Sequence, residues 1–312
     1  MLIKILNYLF LKIKKNGLLF ALIALMIITG IINPRFATAS NFINILRQSS
    51  INVILAAGTV FVISHGEMDL SIGSTLALAG VIASGIAIKF STLFGILLSL
   101  IFGIAVGFFN GFIVNYILLP SFIVTLATMT IIRGFCYVYT QGVAITGLPQ
   151  PFVYLGNGKI GPIPVIIIFA LVMIIFLDIL LRRTKFGRYT RAIGDNREAA
   201  RLSGIQVKKH SILVFILNGL VASIAGILLA SRIISGHPGV GSGYELNAIA
   251  AVVIGGGSLR GGVGSVSGVV LGAFFMTTLS NVLNLLSVSS FWQMIIVGVV
   301  IIVAISTERF RK

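Results

Sequence analysis

Acidic residues are almost missing from this chain: seven Asp and Glu stand among 312 residues, against 23 Lys and Arg. Charged residues of both signs make up 10% of the sequence, hydrophobic residues make up 57%, and the mean hydropathy is +1.11. So little polar surface cannot cover a water-soluble globule, and the composition calls for lipid around the protein. A single cysteine, Cys136, excludes an internal disulfide; lying in an apolar run, it reads as a buried small hydrophobe. Histidine is as scarce. His65, His210 and His237 are scattered with no second ligand at metal spacing, so no metal site is expected and each reads as an interfacial or loop residue.

Other chemistries are excluded in the same way. No GxxxxGK[ST] occurs, and the glycine-rich GGGSLRGGVGS offers Arg260 but no lysine to reach a phosphate, so this chain is not expected to hydrolyse ATP. No serine elbow or Cys/His pairing marks a nucleophile. The formal net charge of +16 invites a nucleic-acid reading, but the positions of the charges argue against it. Nine basic residues (Arg182, Arg183, Lys185, Arg188, Arg191, Arg197, Arg201, Lys208, Lys209) fall between 182 and 209, four near the start (Lys4, Lys12, Lys14, Lys15) and three at the end (Arg309, Arg311, Lys312). No aromatic-interleaved basic patch lies outside these segments, so topology and anionic lipid account for the excess.

What the chain does have is long apolar runs. A membrane-crossing helix needs roughly 20 mainly apolar residues. About ten segments qualify: Gly17 to Ile32, Ser49 to Ser64, Leu70 to Ile88, Leu93 to Leu118, Ser121 to Thr140, Ile163 to Leu181, Ser211 to Ile233, Leu246 to Gly256, Val263 to Leu285 and Ser290 to Ser306. The expected fold class is all-α and polytopic, a single transmembrane domain over residues 1–312 with a cytoplasmic loop at about 182–210. The first apolar segment lacks a small-residue cleavage site before Asn33 and Pro34 and reads as a retained helix. Six segments precede the basic loop and four follow it. Both counts are even, so the loop and both termini fall on one side, which the positive-inside rule makes cytoplasmic. On the other side, QGVAITGLPQPFVYLGNGKIGP reads as an external loop and a docking surface for an extracytoplasmic partner. Small residues four apart, such as Gly103 with Gly107 and Gly264 with Gly268, let helix backbones approach closely in lipid.

The acids sharpen this picture. Asp178 can pair with Arg182 four residues on, Asp195 and Glu198 belong to the basic loop, and Glu308 to the tail. Glu67 and Asp69 stand just before the third segment and Glu245 just before the eighth, where an ionisable group either caps a helix or faces a partner or cavity. If the chain is two halves of five segments, the third and eighth correspond, and both are short, glycine-interrupted and acid-led. That is the signature of an inverted repeat, with paired broken helices along a transport path.

Six stretches carry a resemblance: NPRFATASNFINILRQSSINVILAAG, GEMDLSIGS, FIVTLATMTIIRG, TKFGRYTRAIGDNREAARLSGI, GYELNAIAAVVIGGGSLRGGVGSVSG and SVSSFWQMIIVGVVI. In these the chain resembles the membrane permease subunits of bacterial ABC importers for sugars, those for ribose above all. The resemblance implies a multi-pass inner-membrane subunit that forms a pore as a dimer, with a second permease copy as a homodimer or with a paralogous permease. It also implies a sugar-binding protein outside that delivers a monosaccharide, and a separate cytoplasmic ATPase that drives import and alone holds ATP and magnesium. No cofactor is expected in this chain. The pattern Gly194, Asn196, Ala199, Ala200, Ser203, Gly204, Ile205 matches the helix that seats in the ATPase of such permeases. Small Ala199 and Ala200 permit close contact there, Asp195 or Asn196 can cap the helix, and Gly204 can end it. Asp69, Ser71, Ser74, Glu245 and Asn247 are the candidate polar residues of the substrate path. Glu67 departs from the family pattern, which usually has glycine there, and Asn247 stands where many relatives carry Asp. An ion-coupled secondary transporter of a small polar solute is the rival reading, and a channel the third.

Overall fold

The computed structural model describes residues 2–309, with side chains from 17 to 306. The terminal basic residues Lys4, Lys12, Lys14, Lys15, Arg309, Arg311 and Lys312 therefore lie outside the described side chains. In chain order the helices are α1 (Leu2–Ile32), α2 (Ala39–Ser64), α3 (Ile72–Lys89), α4 (Thr92–Phe112), α5 (Ser121–Thr140), α6 (Gln150–Asn157), α7 (Val165–Arg183), α8 (Lys185–Asp195), α9 (Arg197–Leu202), α10 (Val207–Ile233), α11 (Tyr244–Ile254), α12 (Val266–Leu285) and α13 (Ser290–Arg309). Two short strands, β1 (Lys159–Ile160) and β2 (Ile163–Pro164), pair antiparallel.

Among the described residues seven helices are long and apolar enough to cross a membrane: α2, α3, α4 with its π-helical extension Ile113–Ile117, α5, α7, α10 and α12. Three further apolar helices, Gly17–Ile32 within α1, α11, and Ser290–Ser306 within α13, are shorter, so length and composition alone do not reach ten crossings. The third expected segment is not short. With 18 residues α3 rises about 27 Å, whereas the 11 residues of α11 rise about 16 Å, roughly half of a ~30 Å hydrocarbon layer.

Helix starts differ from the apolar runs where polar side chains find partners inside the protein. α2 begins at Ala39, ten residues before the expected Ser49, because Thr38 caps it and the polar residues of its first turns are satisfied. Asn41 donates to the Phe36 carbonyl and exchanges amide hydrogen bonds with Asn281 of α12, and Arg47 reaches the Asn157 carbonyl. The expected external loop, 141–162, holds α6 and half of the β1–β2 hairpin. It is moored to the end of α10, where the Ser231 hydroxyl donates to the Phe152 carbonyl (2.6 Å) and accepts from the Gly156 amide (2.6 Å).

α2, α3 and α10 form the inside of the bundle, and α4, α5 and α7 present mostly exposed apolar faces, as a lipid-solvated exterior requires. α10 packs on α4, α3 and α2; α2 packs on α12, α11 and α10; α3 packs on α4 and α5; α11 packs on α12 and α13. Exchanging α2 with α10, α3 with α11, α4 with α12 and α5 with α13 maps each of these contacts onto another. These are the neighbour relations of two corresponding halves, as an internal repeat has. Outside this set the exchange fails, since α7 packs on α2 while α1 packs on α12. The α4–α10 contact is backbone-close: a Cβ on Gly107 would lie 2.7 Å from the Ile216 Cα, so a larger residue there would force the two helices apart.

Candidate functional site

The basic stretch expected as a loop is two short helices, α8 and α9, joined at Asn196. Asn196 caps α9, its Oδ1 accepting the Ala199 amide at 2.9 Å. Gly204 ends it at φ +83°, a left-handed conformation that glycine adopts without strain, while the Ile205 amide returns to the Ala200 carbonyl. Ala200 is buried with Ile193 and Val207, which pins one side of α9 to the protein. The other side faces out: Ala199, Ser203 and Gly204 are exposed, and so is Leu202, at 74% the most exposed leucine of this face. Burying such a leucine is worth about 1.5–3 kcal/mol, and the sequence pattern alone did not single it out. Gly194 is placed differently. It lies inside the protein, where a side chain would collide with the Ser64 carbonyl and the Gly262 amide, so it seats α8 on the end of α2 and on the 255–265 loop. On the exposed surface Glu198 pairs with Arg201, whose guanidinium donates at 2.9 and 2.6 Å and holds the Glu198 carboxyl below its usual value.

His65 and His210, expected as scattered residues, are both buried where α8 meets α2 and α10. Their rings stack with centroids 6.1 Å apart, and the Thr190 hydroxyl lies 2.8 Å from His210 Nε2.

Further in, the connection from α2 to α3 carries a buried polar hub. Asp69 Oδ1 accepts from the Ser71 amide (2.9 Å) and the Ser71 hydroxyl (2.6 Å), and Asp69 Oδ2 accepts from Asn218 of α10 (2.9 Å). Ser71 Oγ accepts from Asn110 of α4 (2.9 Å), whose Oδ1 accepts from Thr128 of α5 (2.7 Å). One carboxylate thus ties four elements together at a depth of about 16 Å along α10, since Asn218 is eleven residues past Val207. Asp69, Ser71 and Ser74 are all buried within the chain. Asp69 and Ser71 direct their polar atoms at neighbouring helices, and the Ser74 hydroxyl has no partner among the described residues. Asn110 and Asn218 were not among the expected site residues, although a lone amide in an apolar helix is itself a signal that a partner must be near.

Glu245 approaches the same region from the other half. Its Oε1 accepts from the Gly243 amide at 3.0 Å, and its other oxygen packs against Gly73 at the start of α3. The first turns of α3 and α11, one full-length helix and one half-length helix, therefore meet inside the bundle, each led by a carboxylate. Glu245 and Asn247 are partly exposed, unlike the Asp69 group.

A multi-pass helical bundle with two acid-led helix starts meeting in its interior, and a capped, partly exposed helix on its basic face, is a membrane transport protein. A sequence model described as branched-chain amino acid transport system / permease component matches residues 41–305, and the chain belongs to that family. It is similar to the ribose import permease protein of Bacillus subtilis, 43% identical over 96% of this chain and 94% of that one. It is also similar to the ribose import permease protein of Escherichia coli (42%, 94% and 93%) and to the L-arabinose transport system permease protein of Escherichia coli (40%, 95% and 90%). No solved structure matches the chain.

Proposed function

We propose that this chain is the pore-forming subunit of an ATP-driven importer for a monosaccharide, with ribose ahead of L-arabinose because the ribose permeases match it at higher identity. The observation that carries the reading is α9: a capped helix, anchored by Ala200 on one side and offering Ala199, Leu202 and Ser203 on the other, on a surface drawn from the stretch 182–209 that carries nine of the 23 Lys and Arg. That surface suits a cytoplasmic ATPase, which holds ATP and magnesium. The moored 141–162 segment, at the opposite end of α10, suits a sugar-binding protein outside. Two permease copies complete the pore in the inner membrane, with the basic face and both termini in the cytoplasm. Movement of α9 during ATP binding and hydrolysis switches the bundle between outward and inward access, and Glu245 and Asn247 are the polar residues best placed to meet a passing polyol.

The test is uptake in proteoliposomes. Co-purified with its nucleotide-binding partner and supplied with the binding protein, the permease takes up radiolabelled ribose only when ATP is present. Ribose uptake driven by a proton or sodium gradient without the ATPase would refute the reading.

A further inference from the structure

At the first residue of α9, Arg197 reaches from the helix into the bundle. Its Nη1 lies 2.9 Å from Glu67 Oε1, and its Nη2 donates at 2.7 Å to Asn115 Oδ1. The two acceptors belong to different elements. Glu67 lies on the α2–α3 connection, two residues before Asp69, while Asn115 is fully buried in the π-helical turn Ile113–Ile117 that extends α4. Asn115 in turn donates to Ser211 of α10 (2.7 Å) and to the Gly111 carbonyl (2.8 Å). The ammonium of Lys208 sits 5.0 Å over the ring of Tyr116 in the same turn. π-helical turns interrupt the regular ladder and are a natural point for a helix to yield.

Arg197 is poorly placed to serve α9 itself. A cation at the first residue of a helix opposes the positive end of the helix dipole. The Arg197 guanidinium is half in solvent at 48% exposure while Glu67 is shielded at 14%, so the attraction within this partly buried pair is offset by the desolvation of Glu67. Directionality is what it does supply. The apolar seat of α9 around Ala200 can slide, whereas a planar guanidinium bridging two fixed acceptors transmits a displacement along its hydrogen bonds.

We infer that Arg197 and Glu67 form a positioning latch that conveys movement of α9 to the α2–α3 turn, and through Asp69 to α3, α4, α5 and α10. The latch rests on the proposal that α9 is the element an ATPase moves. On this account a break in the pair leaves the ATPase docked and turning over but disconnects it from the bundle.

The experiment measures ribose uptake and ATP hydrolysis separately in the reconstituted complex of permease, ATPase and binding protein, for wild type, Arg197→Ala, Glu67→Gln and the charge reversal Glu67→Arg/Arg197→Glu. Each single variant should lower sugar moved per ATP by about tenfold, a coupling loss of ordinary allosteric size. Hydrolysis should stay near wild type in both, and thermal stability should stay near wild type in Glu67→Gln but fall in Arg197→Ala, where the buried Asn115 Oδ1 loses its donor. The reversal should regain part of the lost ratio, and only part, because Asn115 Oδ1 then faces a carboxylate. Wild-type ratios in both single variants would overturn the latch, as would parallel losses of uptake, hydrolysis and stability, or a reversal no better than either single change. A wild-type complex that shows no ATP-dependent uptake would instead remove the underlying proposal of function, and the latch with it.

Discussion

The Asp69 hub lends itself to a double-mutant test because each change has a distinct hydrogen-bond ledger. Asp69→Ala removes the acceptor of three bonds at 2.9, 2.6 and 2.9 Å and strands the Ser71 backbone amide, the Ser71 hydroxyl and the Asn218 side-chain amide in the buried interior. A stranded donor costs about 1–3 kcal/mol, so the loss is about 3–9 kcal/mol for the three. Asp69→Asn keeps an oxygen for Ser71 and sets its amide against that of Asn218. Rotation of the Asn218 amide restores an acceptor, so the loss should approach the average helix-to-helix hydrogen bond in a membrane, about 0.6 kcal/mol. Asn218→Asp has no such escape, because two carboxylates then face each other at hydrogen-bond distance. The double change Asp69→Asn/Asn218→Asp reverses donor and acceptor and should recover most of the stability. Thermal unfolding of the detergent-solubilised protein, followed by fluorescence-detected size exclusion, should therefore rank wild type and the double variant above Asp69→Asn, with Asp69→Ala and Asn218→Asp lowest. A double variant less stable than both single changes, or an Asp69→Ala protein as stable as Asp69→Asn, would refute the claim that this pair joins α3 to α10.

Three further outcomes follow from the surface and the external segment. Leu202→Asp replaces an exposed apolar contact with a charge and should abolish co-purification of the nucleotide-binding partner while leaving the unfolding temperature within about 1 °C, as expected for a surface change. Ser231→Ala removes the hydroxyl that bridges the Phe152 carbonyl and the Gly156 amide. Limited proteolysis and hydrogen exchange should then show faster cleavage and exchange across 141–162, with the core helices unaffected. Glu198→Ala should leave the pH dependence of stability unchanged from pH 5.5 to 8. Its carboxyl is depressed by Arg201, so whatever the pair contributes is present above the unfolded-state value and is lost only as pH falls through the lower folded-state value; a transition between pH 6 and 8 that disappears in Glu198→Ala would contradict this.

How much of this was legible in the sequence follows from the reach of each interaction. The α9 cap and the Gly204 terminator act within five residues, and the sequence narrowed the cap to Asp195 or Asn196 on a helix that the family resemblance implied; the structure gives Asn196. The apolar runs located the helices, because lipid imposes the same demand on every turn that crosses it. Asp69 was legible as an anomaly, but its partner Asn218 is 149 residues away, and no periodicity relates the two. Helix boundaries failed for the same reason: Asn41 and Arg47 look like the end of a polar loop until Asn281 and the Asn157 carbonyl are brought beside them. The external segment appeared structureless because its holds on α10, the Ser231 hydroxyl, the Ser231 and Arg232 carbonyls that Asn157 reaches, and the packing of Leu148 and Phe152 on Ile227 and Ala230, all come from a distant helix. Glu67 shows most clearly what family likeness conceals. Read as a departure from a glycine pattern, it had no inherited role; in three dimensions its carboxylate is the acceptor that Arg197 reaches from α9. A residue that departs from a family pattern at a long-range contact is thus best read with whatever faces it in space, since a side chain gained on one element acts only through a partner on another.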